Sequence, residues 1–186
     1  MTEPLPPLIR RVLALVLDST ERTPHPALPR RLTALFHRLR QDNGVLDAGE
    51  TEDLIWAIWT SHSRPDLEKA MHAAIASLAL RDFTTAATRF DAILDHDPDW
   101  AEAWNKRATL HFLRGNDTAS LLDIEQTLSR EPRHFGAIAG FAHICERNGA
   151  LAEADAAAEM ALRHNPHLHG LRLRLAHRAR PTGRSN

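Results

Sequence analysis

Apolar residues along this chain recur three and four apart, the spacing of one helix face, and short polar stretches break the pattern at intervals. Leu8, Ile9, Val12, Leu13, Leu15 and Val16 form one such face, on a helix that Pro6 and Pro7 can begin because its first turn needs no backbone donor from them. Leu28, Leu32, Leu35, Phe36 and Leu39 form a second, and Leu54, Ile55, Ile58 and the pair Trp56 and Trp59 a third. A polar turn around Gly44 separates the last two, which together predict a helical hairpin with residues 43 to 50 as its loop. Leu171, Leu173 and Leu175 lie among arginines on a final helix that Pro181 stops, and residues 181 to 186 are expected to be a disordered tail.

A longer period runs through the middle of the chain. Pro98, Pro132 and Pro166 are 34 residues apart, and each follows a leucine four residues earlier, Leu94, Leu128 and Leu162. Residues 67–100, 101–134 and 135–168 align on these marks without a gap. The eighth position is small each time (Ala74, Ala108, Ala142), as is the twentieth (Ala86, Ser120, Ala154). Turns fall at Arg81-Asp82, Gly115-Asn116 and Gly149-Ala150, two of them with the glycine that favours a helix C-terminus. Each unit therefore predicts two helices of about 13 residues crossing at small side chains, closed by a proline that the next helix tolerates at its start.

This pattern resembles the tetratricopeptide repeat, and bacterial members of that family in particular. The family's run of Trp, small residue, Gly, Ala, Phe and Pro is met by Trp104, Ala108, Gly115, Ala86, Phe90 and the three prolines. His111 and Cys145 stand where a tyrosine is preferred, and Ala70 and Ile138 replace the leading Trp. The resemblance implies an all-α fold, a right-handed α-solenoid of three 34-residue helix-turn-helix repeats. Residues 1–64 would then be N-terminal helices, a leading helix plus a hairpin that stacks on the first repeat as a degenerate repeat, and residues 169–180 a capping helix.

Composition narrows the chemistry. With 23 Lys+Arg against 24 Asp+Glu and 43% hydrophobic residues, the chain is close to neutral and has material for one sizeable core. Its single Cys145 allows no intramolecular disulfide. No stretch approaches the roughly 18 apolar residues of a membrane span. Arg10 and Arg11 before Val12 to Leu17 have the order of a secretory signal, but the apolar run is short and no small-residue cleavage site follows. A cytoplasmic protein is expected, or a periplasmic one if that helix is an atypical signal.

His164, His167 and His169 cluster without a cysteine or carboxylate at matching spacing and read as solvated turn residues. No nucleophile-base pair, phosphate loop or paired carboxylate is present, so no catalytic residue, metal, cofactor or small-molecule substrate is expected. Residues 67–168 hold 15 acids and 10 bases, a balance that disfavours nucleic acid, whereas 169–186 hold five arginines and no acid.

Tetratricopeptide arrays line a concave groove with the first helices of their repeats, and the groove receives a segment of another protein. Carried over by position, the resemblance places Met71 and Ile75 of the first repeat in it, then Asn105, Lys106 and Thr109 of the second. Gly136, Ala139, Gly140, His143 and Arg147 of the third follow, with Arg174 of the cap helix. Phe112 and Leu113 share that face but read as core. The implied partner is a protein segment with an apolar half and an acidic or amide-rich half, its identity and the oligomeric state being open. The basic clamp for acidic chaperone tails is absent, since Met71, Ile75, Gly136 and Gly140 occupy its positions.

Gly136 and Gly140 lie one turn apart in a predicted helix, where each costs about 1 kcal/mol relative to alanine. Ala142 already serves the packing seam, so the two glycines are expected to leave a bare backbone floor in the groove. The main alternative is a structural helical module that binds through its convex face or through the hairpin bearing Trp56 and Trp59. An arginine-rich C-terminal helix touching nucleic acid or membrane, and an unrecognised enzyme, are lesser ones.

Overall fold

In the computed structural model, residues 5–41 and 45–178 are described, apart from the side chains of residues 45–47; the tail expected from residue 181 lies outside them. Among the described residues ten α-helices follow one another: α1 (Leu5–Leu17), α2 (Arg31–Gln41), α3 (Val45–Thr60), α4 (Pro65–Ala79), α5 (Phe83–His96), α6 (Ala101–Leu113), α7 (Asp117–Arg130), α8 (Phe135–Arg147), α9 (Leu151–His164) and α10 (His169–Arg178). A short 3₁₀ turn, Asp18–Thr20, follows α1.

The three 34-residue units are the hairpins α4/α5, α6/α7 and α8/α9, a helical repeat solenoid. All six small positions at the eighth and twentieth places are buried, from 0% to 3% exposed, so each hairpin crosses where the sequence placed its smallest side chains. In the second hairpin the Ser120 hydroxyl adds a hydrogen bond to the Ala108 carbonyl at 2.8 Å. Gly115 and Gly149 take positive φ at the turns, 74° and 76°. Arg81 takes the same conformation with a side chain, φ 60°, at a cost of about 1 kcal/mol. Asp82 and Asn116 then cap the second helices by accepting from the Thr85 and Ala119 backbone N–H groups.

The N-terminal segment wraps this solenoid on two sides. α1 packs across α7 and α9, where Leu8, Val12 and Val16 join Leu121, Leu128, Ala157 and Ala161 in one buried cluster. The α2–α3 hairpin touches the first repeat at the end of α3, where the Trp100 indole donates to the Trp59 carbonyl at 2.8 Å, but most of its core is closed elsewhere. It lies along the turns that link the later units, and Phe135 of the third repeat enters its core of Leu32, Phe36, Leu39, Ile55 and Trp59, while no buried residue of the first repeat does.

Polar ties hold it there: Asn165 donates to Glu52 at 2.9 Å, and the Arg133 guanidinium lies 4.6 Å from the Phe36 ring centroid. An amphipathic stripe requires a partner surface, and the aromatic and histidine-rich turns supply one. The loop expected at 43 to 50 is mostly helix, since α3 begins at Val45 and Ala48 and Thr51 are buried; residues 42 to 44 lie outside the description.

Two of the clustered histidines are not solvated. His164 is 2% exposed with Nε2 at 2.8 Å from the Ser19 hydroxyl, and His167 Nε2 donates to the Leu39 carbonyl at 3.1 Å; only His169 is exposed. Burial pushes the His164 ring down from 6.5 to about 4, although Glu131 opposes the shift. The unfolded chain therefore takes up this proton first, so the stability contribution is complete above pH 6.5 and is lost as the pH falls toward 4. Unfolding free energies from urea titrations between roughly pH 7 and 5 should fall by up to about 1.4 kcal/mol per pH unit per such histidine. The slope should be visibly shallower in His164→Asn; an unchanged slope contradicts the assignment.

Candidate partner-binding groove

The first helices of the second and third repeats, α6 and α8, are joined by a buried carboxylate. Glu102, on the first turn of α6, is fully buried, and its Oε2 accepts from His134 Nε2 at 2.7 Å and from Asn105 Nδ2 at 3.0 Å. Its Oε1 lies 3.0 Å from the Lys106 ammonium. Burial alone would raise this carboxyl, but the contacts with His134 and Lys106 outweigh it and hold the group below the usual carboxylate range.

His134 is also fully buried, and its Nδ1 accepts from the Ala137 backbone N–H at 3.1 Å, capping α8. One ring nitrogen must therefore accept, which leaves Nε2 to carry the hydrogen given to Glu102. Trp59 stacks on the same ring, 4.0 Å between centroids at 10°.

The two glycines of α8 differ. A Cβ on Gly136 would fall 2.6 Å from the Trp56 ring, so this glycine admits the hairpin's tryptophan. Trp56 also lies under the Lys106 ammonium, 5.0 Å from its ring centroid. The expectation of a bare floor is thus corrected at Gly136, which α3 covers. At Gly140 the nearest atom to an added Cβ is Ile124 Cδ1 at 3.8 Å, and the backbone floors an open cleft of about 300 Å³. Asn105, Thr109, Phe112 and His143 stand among its walls. Of the two residues expected to be core, Leu113 is exposed, while Phe112 packs partly against the core and borders the cleft.

The remaining expected groove residues divide. Thr109 and Ala139 line the cleft, whereas Met71 is fully buried in the first repeat's core and Ile75 packs partly against it. The cations are engaged within the chain. Lys106 faces Glu102, Arg147 pairs with Asp117 and lies 4.1 Å from the Phe112 ring centroid, and Arg174 donates to Glu146 at 2.7 Å.

Arg174 also donates to His143 Nε2 at 2.6 Å, and burial, followed by that positive charge, holds the His143 ring below its ordinary range. The walls are consequently apolar, with neutral polar groups rather than free charge. On the arginine-rich α10, Arg178 joins Arg174 on Glu146 and also pairs with Asp155.

The Glu102–His134 pair was not legible in the sequence, because residues 32 apart at opposite ends of one unit leave no local signature. Among the described residues no group of His, Cys, Asp and Glu could hold a metal ion, and no helix is long and apolar enough to cross a membrane. Burial pushes the Cys145 thiol up to about 12, which leaves it protonated and unreactive at neutral pH.

The contrast between the glycines gives opposite expectations for alanine. Gly140→Ala adds an ordinary contact and removes the helix penalty, so urea unfolding should show about 1 kcal/mol of added stability. Gly136→Ala forces Trp56 from a packed position and should lose about 1 kcal/mol or more. Equal effects at both positions would contradict this geometry.

No family model matches the chain. It is 34% identical over 119 residues to a TPR repeat-containing protein of Rhizobium etli, a match covering 64% of this chain and 58% of that one. It is 30% identical over 101 residues to DnaJ homolog subfamily C member 3 of Rattus norvegicus, covering 54% of this chain and 20% of the rat protein. The chain thus spans less than two thirds of the length of either curated relative.

Proposed function

We propose that this chain, a member of the tetratricopeptide-repeat family, is a non-catalytic adaptor that holds a segment of another protein in the cleft between α6 and α8. The observation that carries the reading is the open backbone at Gly140. A glycine there lowers helix stability without relieving any clash in the free protein, so its benefit lies in access to the groove. The neighbouring position on the same face, Gly136, already accepts a large side chain, Trp56. The partner's apolar residues would enter the cleft, and the internally paired cations Lys106, Arg147 and Arg174 would shape its rim rather than supply free charge.

A second reading comes from the hairpin. Its tryptophans face inward, but Leu35 and Leu54 border an apolar hollow of about 500 Å³ on its outer side, with Leu54 48% exposed. Quantitative affinity capture from the native host separates the two. Thr109→Arg and Gly140→Leu should remove specific partners, while Leu54→Asp and the remote Thr88→Arg should retain them, all four proteins being folded by circular dichroism. Loss with Leu54→Asp alone would transfer the site to the hairpin.

A further inference from the structure

Asn105 is 7% exposed and lines the cleft, yet only half of its amide is used. Its Nδ2 donates to the Glu102 carboxylate at 3.0 Å, which fixes the amide's orientation, since a carboxylate accepts and cannot donate. The carbonyl Oδ1 therefore points away from Glu102; among the described residues no group donates to it, and it is open to solvent at the cleft rather than enclosed. Covering such a hydrated acceptor with a purely apolar occupant is costly, because it would lose water and gain nothing.

The cleft holds about 300 Å³, room for one large side chain rather than a run of them. Phe112, His143 and Ile124 make its surface aromatic and aliphatic. One turn earlier on α8, the chain itself places an indole against the bare backbone at Gly136.

We propose that the cleft over Gly140 receives a tryptophan side chain from the partner segment, with its indole N–H given to Asn105 Oδ1. This rests on the groove reading above and adds the chemistry of the anchor. A leucine or phenylalanine could fill the volume but would leave Oδ1 unpaired, whereas an indole satisfies both shape and acceptor. In the bound state two indoles, Trp56 and the partner's, would lie side by side along α8, one over each glycine.

Short peptides of random sequence displayed on phage and selected on the full chain test this, with Gly140→Leu and Thr109→Arg as counter-selections. Peptides that bind wild type and lose roughly tenfold or more on both variants should share a tryptophan at a fixed register. Replacing it by 1-methyltryptophan, which keeps the ring and removes the donor, should weaken binding about fivefold, the worth of one hydrogen bond. Cleft-dependent peptides with no shared tryptophan, or equal binding by the methylated form, overturn the indole assignment and leave the groove reading standing. Binders indifferent to both variants, or no binders at all, overturn both.

Discussion

The hydrogen bond from His134 to Glu102, made with both side chains fully buried, is the contact on which the arrangement of α6 and α8 depends. Its 2.7 Å distance ties the first turn of α6 to the residue that caps α8, and so sets how the two groove helices face each other. The same carboxylate turns Asn105 so that its carbonyl faces away, and it holds Lys106 over Trp56. A buried carboxylate is tolerable only because two hydrogen-bond donors and the Lys106 ammonium converge on it; removal of any one would leave a desolvated polar group costing on the order of 1–3 kcal/mol.

Around that contact the N-terminal segment acts as a clasp. α1 seals the second helices of the later repeats, while the α2–α3 hairpin covers their linking turns and sends Trp56 into one end of the groove. The linking turns are thereby covered, and the groove is shortened to the cleft beyond Gly136. What remains accessible is a slot bounded by aromatic rings, with the Asn105 side chain in its wall and its cations already paired.

The repeats were legible in the sequence because their determinants are local: a 34-residue spacing, a small residue at each crossing and a turn residue between helices. Those features reappear as buried alanines and left-handed turns at the expected places. The hairpin's position was not legible. An amphipathic stripe such as Leu32, Phe36 and Leu39 states that one face is buried but not against what, and the partner surface was assembled from residues about a hundred positions away.

Register alone placed Gly136 and Gly140 on one groove face but could not distinguish them, since the difference is a tryptophan arriving from α3. Register likewise placed Met71 on the groove face, whereas its side chain is buried in the first repeat's own core.

The central claim is that the surface between α6 and α8 is where another protein sits. Photo-crosslinking in the native host tests it most directly, with p-benzoylphenylalanine placed at position 109 in the cleft or at position 88 on the exposed side of α5. Covalent adducts to a discrete partner from 109 and none from 88 are the expected result. Adducts from 88 with none from 109 would contradict it.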